Sequence, residues 1–204
     1  MKRNSIAIII ATKIEAEPFI DGLRLPALGK GPVPLYGNDS LLLAVSGIGK
    51  SNAAAATVFL IERHHPSLVI NCGAAGAANP GMHVGDIFQI DRVYELDRPH
   101  LVHGRPMIHR PDTMKGFTRA SLATQDRPVI GGEERLAAAQ HADLLDMEGA
   151  AIVQTCHAFV VPVYLFKIVS DTTGHGRKEI IDRMLTVRHD LFAFFMERIL
   201  PGIT

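Results

Sequence analysis

Short runs of wholly apolar, largely β-branched residues, each separated from the next by a helix-like stretch, constrain this chain more than anything else in it. Residues 5–11 (Ser-Ile-Ala-Ile-Ile-Ile-Ala) and 41–45 (Leu-Leu-Leu-Ala-Val) have no charged interruption. A strand with one face in water alternates apolar and polar residues, whereas one that is apolar throughout must be covered on both faces. Further strands are expected at 68–71, 86–94, 144–147 and 163–169. Ala-rich or amphipathic stretches at 50–63, 149–159 and 178–199 have helical composition. In the last of these Ile181, Leu185, Leu191, Phe195 and Ile199 fall roughly on one helical face. Strands that alternate with helices give a layered α/β sheet. The whole chain, 1–204, is read as one domain, and its length is enough for a sizeable core. Residues 98–118 carry three prolines and three histidines with little periodicity, and are expected to form a long loop.

The charge balance excludes some partners. Lys plus Arg and Asp plus Glu both number 21, so the basic excess that nucleic acid or an acidic membrane calls for is missing. A small molecule is the expected partner, and weak self-repulsion is compatible with a homo-oligomer. The two cysteines, Cys72 and Cys156, lie in apolar settings without a CxxC pair and read as reduced, buried thiols. With no signal-like or membrane-spanning run recognised, a cytoplasmic location is expected.

Two lookalikes are set aside. Ala44-Val-Ser-Gly-Ile-Gly-Lys50-Ser51 matches a loose phosphate-binding loop, but follows the second strand rather than the first and reads as a tight glycine turn. His100 and His103 have no Cys or acidic partner at ligand spacing, so no metal is expected. Three acids stand out instead: Glu15, Glu148 and Asp171 each follow an expected strand. Strand ends are where open α/β sheets keep their ligand sites. Alone, each has an ordinary reading: a solvated loop charge for Glu15, a helix cap for the other two.

Six segments in order tip that balance: Ile8-Ile-Ile-Ala-Thr-Lys-Ile-Glu15, Val45-Ser-Gly-Ile-Gly-Lys-Ser-Asn-Ala-Ala, Asn71-Cys-Gly-Ala-Ala-Gly76, Val84-Gly-Asp-Ile, Asp146-Met-Glu-Gly-Ala-Ala151 and Ile168-Val-Ser-Asp171. Together they resemble the nucleoside phosphorylase/nucleosidase superfamily, with the nearest likeness to 5′-methylthioadenosine/S-adenosylhomocysteine nucleosidases. The resemblance implies a three-layer α/β/α sandwich around a mixed sheet, a homodimer, no cofactor, and cleavage of the bond between a purine and its ribose. It also implies roles. Asp171 is the acid that protonates the purine at N7, Glu15 activates water, and Glu148 accepts from the ribose hydroxyls with Met147 packed on the sugar. Ala74 and Gly76 lie in the floor, and Ile48, Ser170, Asp126 and Val129 line the substrate.

The residue types suit the chemistry. Cleavage puts positive charge on the ribose and negative charge on the base, so one carboxyl delivers a proton while another activates water. Burial is expected to keep the acid protonated. Departures from the family pattern are Ala74 in place of Ser, Lys167 in place of Arg, and Pro128 where relatives place a stacking Phe. One alternative is a phosphorylase of the same fold, which needs cations for a phosphate dianion. The other is a non-catalytic nucleoside binder, which has no need for a buried acid.

Overall fold

The computed structural model describes residues 5–172 and 177–203, with the side chains of 177–181 outside the description. The elements in chain order are β1 (Ile6–Ile10), α1 (Lys13–Gly22), β2 (Leu35–Gly37), β3 (Leu41–Val45), α2 (Lys50–His64), β4 (Leu68–Ala77), β5 (Ile87–Pro99), β6 (Pro106–His109), β7 (Arg119–Thr124), α3 (Gly132–Ala139), β8 (Leu144–Asp146), α4 (Gly149–Ala158), β9 (Val163–Asp171) and α5 (Arg177–Phe194). A π turn, Phe195–Ile199, and a short 3-10 turn continue the last helix.

The apolar runs become the centre of a mixed sheet of nine strands. β1 lies between β3 and β4, parallel to both, and every residue of β1 and β3 is buried. One face is covered by α2 and α4 through Ala53, Leu60, Ala150 and Val153. The other is covered by α1, α5 and the π turn through Phe19, Leu191 and Phe195, with the Phe19 and Phe195 rings 5.3 Å apart. This is the expected three-layer sandwich. Each fully buried Ile, Leu or Phe contributes about 1.5–3 kcal/mol through removal from water. One feature is added: β4 pairs with β8 and β9, β8 with β7, β7 with β5, and β5 with β9. Five strands therefore close on themselves beside the open part of the sheet.

Some expectations need correction. Residues 98–118 are not simply a loop: β5 runs on to Pro99, and β6 pairs back on it with Tyr94 opposite Ile108. Pro99 and Pro106 sit opposite each other at strand ends, at the register break after Glu95, where a missing N–H is tolerated. His100 and His103 stack at 4.1 Å on the hairpin tip. Glu15 is not in a loop either. Thr12 and Glu15 form a reciprocal capping box at the start of α1. Pro18 inside that helix leaves the Ile14 carbonyl without its helical donor, and Arg188 of α5 donates to it at 2.9 Å while pairing with Glu17 at 2.7 Å.

Candidate active site

The ends of β1, β4, β8 and β9 and the start of α1 surround a cavity of about 490 Å³, a size suited to a nucleoside. Glu15, Glu148 and Asp171 all line it, and all are buried. So do Ile48, Ala74, Gly76, Val129, Met147 and Ser170. Asp126 does not: it is exposed, and its carboxylate accepts from the Lys50 backbone N–H at 2.8 Å. Beside Val129, the residues Arg127, Pro128 and Ile130 also reach the cavity.

Glu15 is held at both oxygens. Oε2 accepts from the Thr12 hydroxyl at 2.6 Å and the Thr12 N–H at 3.2 Å; Oε1 accepts from the Ala74 N–H at 2.8 Å. The carboxylate is thereby fixed against the floor strand, and a Cβ on Gly73 would lie 3.3 Å from its Oε1.

Glu148 is the residue before α4, yet its side chain does not cap that helix. It crosses the cavity wall and accepts from the Gly49 N–H at 2.8 Å. The phosphate-loop lookalike is thus the turn that anchors Glu148. Gly49 has φ 98°, a conformation only glycine adopts without strain. Lys50, the residue a phosphate would need, pairs instead with Glu95 at 2.9 Å and Asp97 at 2.6 Å, tying α2 to the β5–β6 hairpin. Burial raises the Glu148 carboxyl to about 7, with the charge of Asp146 adding to the effect and Lys167 opposing it.

Lys167 is fully buried and pairs with Asp146 at 2.9 Å. Burial disfavours its charge, but Asp146 and Glu148 outweigh that and leave the ammonium raised above its ordinary value. Asp146 also accepts from the Thr124 hydroxyl at 2.5 Å and the Gly149 N–H at 2.8 Å. Lys167 therefore supplies a buried cation to Asp146, Glu148 and Glu15.

Asp171 is the last residue of β9 rather than the residue after it. A bulge between Ala75 and Gly76 leaves Ser170 unpaired and sets Asp171 opposite Gly76; such bulges re-aim side chains beside active sites. Ser170 donates its hydroxyl to Asp171 Oδ1 at 2.7 Å. Arg135, on α3, donates through Nη2 to Asp171 Oδ2 and through Nη1 to the Ala77 carbonyl at 2.8 Å. The expected burial of Asp171 is present, and so is a guanidinium that the sequence reading does not foresee. Gly76 makes room for the pair: a Cβ there would lie 3.0 Å from Arg135 Nη1 and 3.1 Å from Asp171 Oδ2. Two signals in the sequence point to the missed details. Thr12-x-x-Glu15 is a capping-box spacing, and Glu133 and Glu134 ahead of an Ala run suit a helix start at α3.

The comparisons with known proteins point to one family. The Phosphorylase superfamily model matches residues 5–127 and 113–200. The 5′-methylthioadenosine/S-adenosylhomocysteine nucleosidase of Staphylococcus saprophyticus is 32% identical over 155 residues, 64% of this chain and 68% of that one. The enzyme of that name from Halalkalibacterium halodurans is 29% identical over 169 residues, 71% of this chain and 73% of the relative. The crystal structure of the Neisseria meningitidis nucleosidase with methylthio-immucillin-A superposes with a TM-score of 0.82 at 25% identity, covering 95% of this chain and 99% of that one. The chain belongs to the phosphorylase superfamily, within the family of 5′-methylthioadenosine/S-adenosylhomocysteine nucleosidases.

Proposed function

We propose that this protein hydrolyses the N-glycosidic bond of an adenosine-type purine nucleoside, of the 5′-methylthioadenosine or S-adenosylhomocysteine kind its relatives are named for. The observation that carries the reading is the convergence of Glu15, Glu148 and Asp171 on one cavity. In the proposed reaction Asp171 gives a proton to N7 as the C1′–N9 bond breaks, and the carboxylate left behind is the one that pairs with Arg135. Water forms the new C1′–O bond and loses a proton to Glu15. The products are the free sugar with its 5′ group and the neutral base. Glu148 accepts from the ribose hydroxyls, Met147 packs on the sugar, and the buried negative charge favours the cationic, oxocarbenium-like ring.

Water is favoured over phosphate by the company the donors keep. Glu15 already takes the Ala74 N–H, Lys167 is paired with Asp146, and Arg135 with Asp171. A phosphate dianion would meet carboxylates where it needs uncommitted cations and N–H groups. Ala74 also supplies no hydroxyl for a phosphate oxygen. The test is release of free purine from a panel of 5′-substituted adenosines by the purified protein. Release from at least one is expected, and no release from any would refute the reading.

A further inference from the structure

The Arg135–Asp171 pair bears on which base the site accepts. This inference rests on the proposed placement of Asp171 against N7. On a purine, N7 and the C6 substituent share one edge. A 6-amino group presents a donor beside N7, and a 6-oxo group presents an acceptor. A carboxylate alone offers the amino group a partner and offers the oxygen none.

This site does not present a carboxylate alone. Arg135 lines the same cavity as Asp171, Gly76, Val129 and Ile130, and its Nη2 is bonded to the very carboxyl that would face the base. The side chain is among the most fully buried in the protein. It is tethered twice, to Asp171 and to the Ala77 carbonyl. A guanidinium has more N–H donors than these two bonds use. Its Nε is buried without a hydrogen-bond partner among the described residues, an unusual state for so strong a donor. Both Nη atoms, at 3.0 and 3.2 Å, flank the place a Cβ on the cavity-lining Gly76 would take, so acceptor and donor stand side by side there. Arg is the side chain that matches the N7/O6 edge of a 6-oxopurine.

We propose that the site takes 6-oxopurine nucleosides as well as 6-aminopurine ones, with Arg135 as the specificity-determining residue that hydrogen-bonds the 6-oxygen. An amino group keeps Asp171 as its acceptor; the oxygen gains Arg135 as its donor. The bond cleaved and the fate of the protons are the same for both.

The experiment compares 5′-methylthioadenosine with 5′-methylthioinosine, which differ only at C6, using purified wild-type protein and the variants Arg135→Met and Arg135→Lys. The readout is the ratio of the two kcat/KM values, in which any general loss through Asp171 cancels. Wild-type protein is expected to cleave both within about tenfold of each other. Arg135→Met is expected to depress the inosine compound about 10- to 100-fold more than the adenosine one, the worth of one specific base-edge contact. Arg135→Lys, which keeps the charge without the fork, is expected to fall between. An unchanged ratio in the folded variants overturns the proposal, as does a wild-type preference against the 6-oxo compound beyond tenfold. Should neither variant fold, the wild-type ratio decides. If only the adenosine compound is cleaved, this inference alone fails; if neither is cleaved, the nucleosidase reading fails with it.

Discussion

Replacing Glu148 by Gln should make the protein more stable and less active, and the stability gain should depend on pH in a defined direction. Three carboxylates, Glu15, Asp146 and Glu148, face a single buried ammonium, Lys167. Above neutral pH this cluster carries excess negative charge out of contact with bulk water. The Glu148 carboxyl rises from its ordinary 4.5 to about 7, which corresponds to a cost of about 3 kcal/mol for ionising it in the folded protein. Because the folded-state value is raised, the folded protein holds a proton between about 4.5 and 7 that the unfolded chain has released. Stability from this group therefore falls as pH rises through that window. Gln keeps an oxygen for the Gly49 N–H and removes the charge. Chemical denaturation at pH 8 should find Glu148→Gln more stable than wild type by up to about 3 kcal/mol, with the difference shrinking to near zero at about pH 4.5. For a chain of this size the pH 8 difference corresponds to a Tm rise of up to roughly 6–12 °C. Turnover should fall about ten- to a hundredfold, as expected when the ribose hydroxyls lose a charged acceptor. A variant less stable than wild type at pH 8, or a difference that does not change with pH, would refute the electrostatic account of this cluster.

Asp171→Asn should lose about two to four decades of turnover, typical of a positioned proton donor, while nucleoside binding measured by calorimetry survives better; near-wild-type turnover would remove Asp171 from the mechanism. Glu15→Gln should lose a similar factor, whereas Lys13→Ala, whose side chain is exposed and outside the cavity wall, should keep activity. Equal losses in the two would undo the assignment of Glu15. A homodimer is expected in solution, with the β5–β6 hairpin and its exposed Leu101 and Val102 at or near the interface; a monomer by light scattering at micromolar concentration would contradict it.

The strands that organise this fold were legible because burial on both faces leaves nothing but apolar residues in them, as in β1 and β3. The acids were legible by position, since Glu148 and Asp171 sit where strands end. What the sequence concealed were contacts between distant segments. Arg135 has no place among the residues singled out in the sequence. Only its bonds to the Ala77 carbonyl and to Asp171, 36 positions away, show that it points inward. Glu148 reads as a cap, and only the turn at Gly49, 99 positions away, shows where the side chain goes. The β5–β6 hairpin was hidden by Pro99 and Pro106, which mark strand ends here rather than a loop. Asp126 was misplaced because its neighbours 127–130 do line the cavity, while its own carboxylate turns outward to the first turn of α2.

The central claim is that water, not phosphate, attacks the sugar, and the product of the reaction decides it. Purified protein in phosphate-free buffer should release purine from its best nucleoside substrate. Added phosphate should not raise the rate, and the sugar should be recovered with a free anomeric hydroxyl and its 5′ group intact. Recovery of the sugar as its 1-phosphate, with no base released until phosphate is added, would contradict the account and make this chain a phosphorylase.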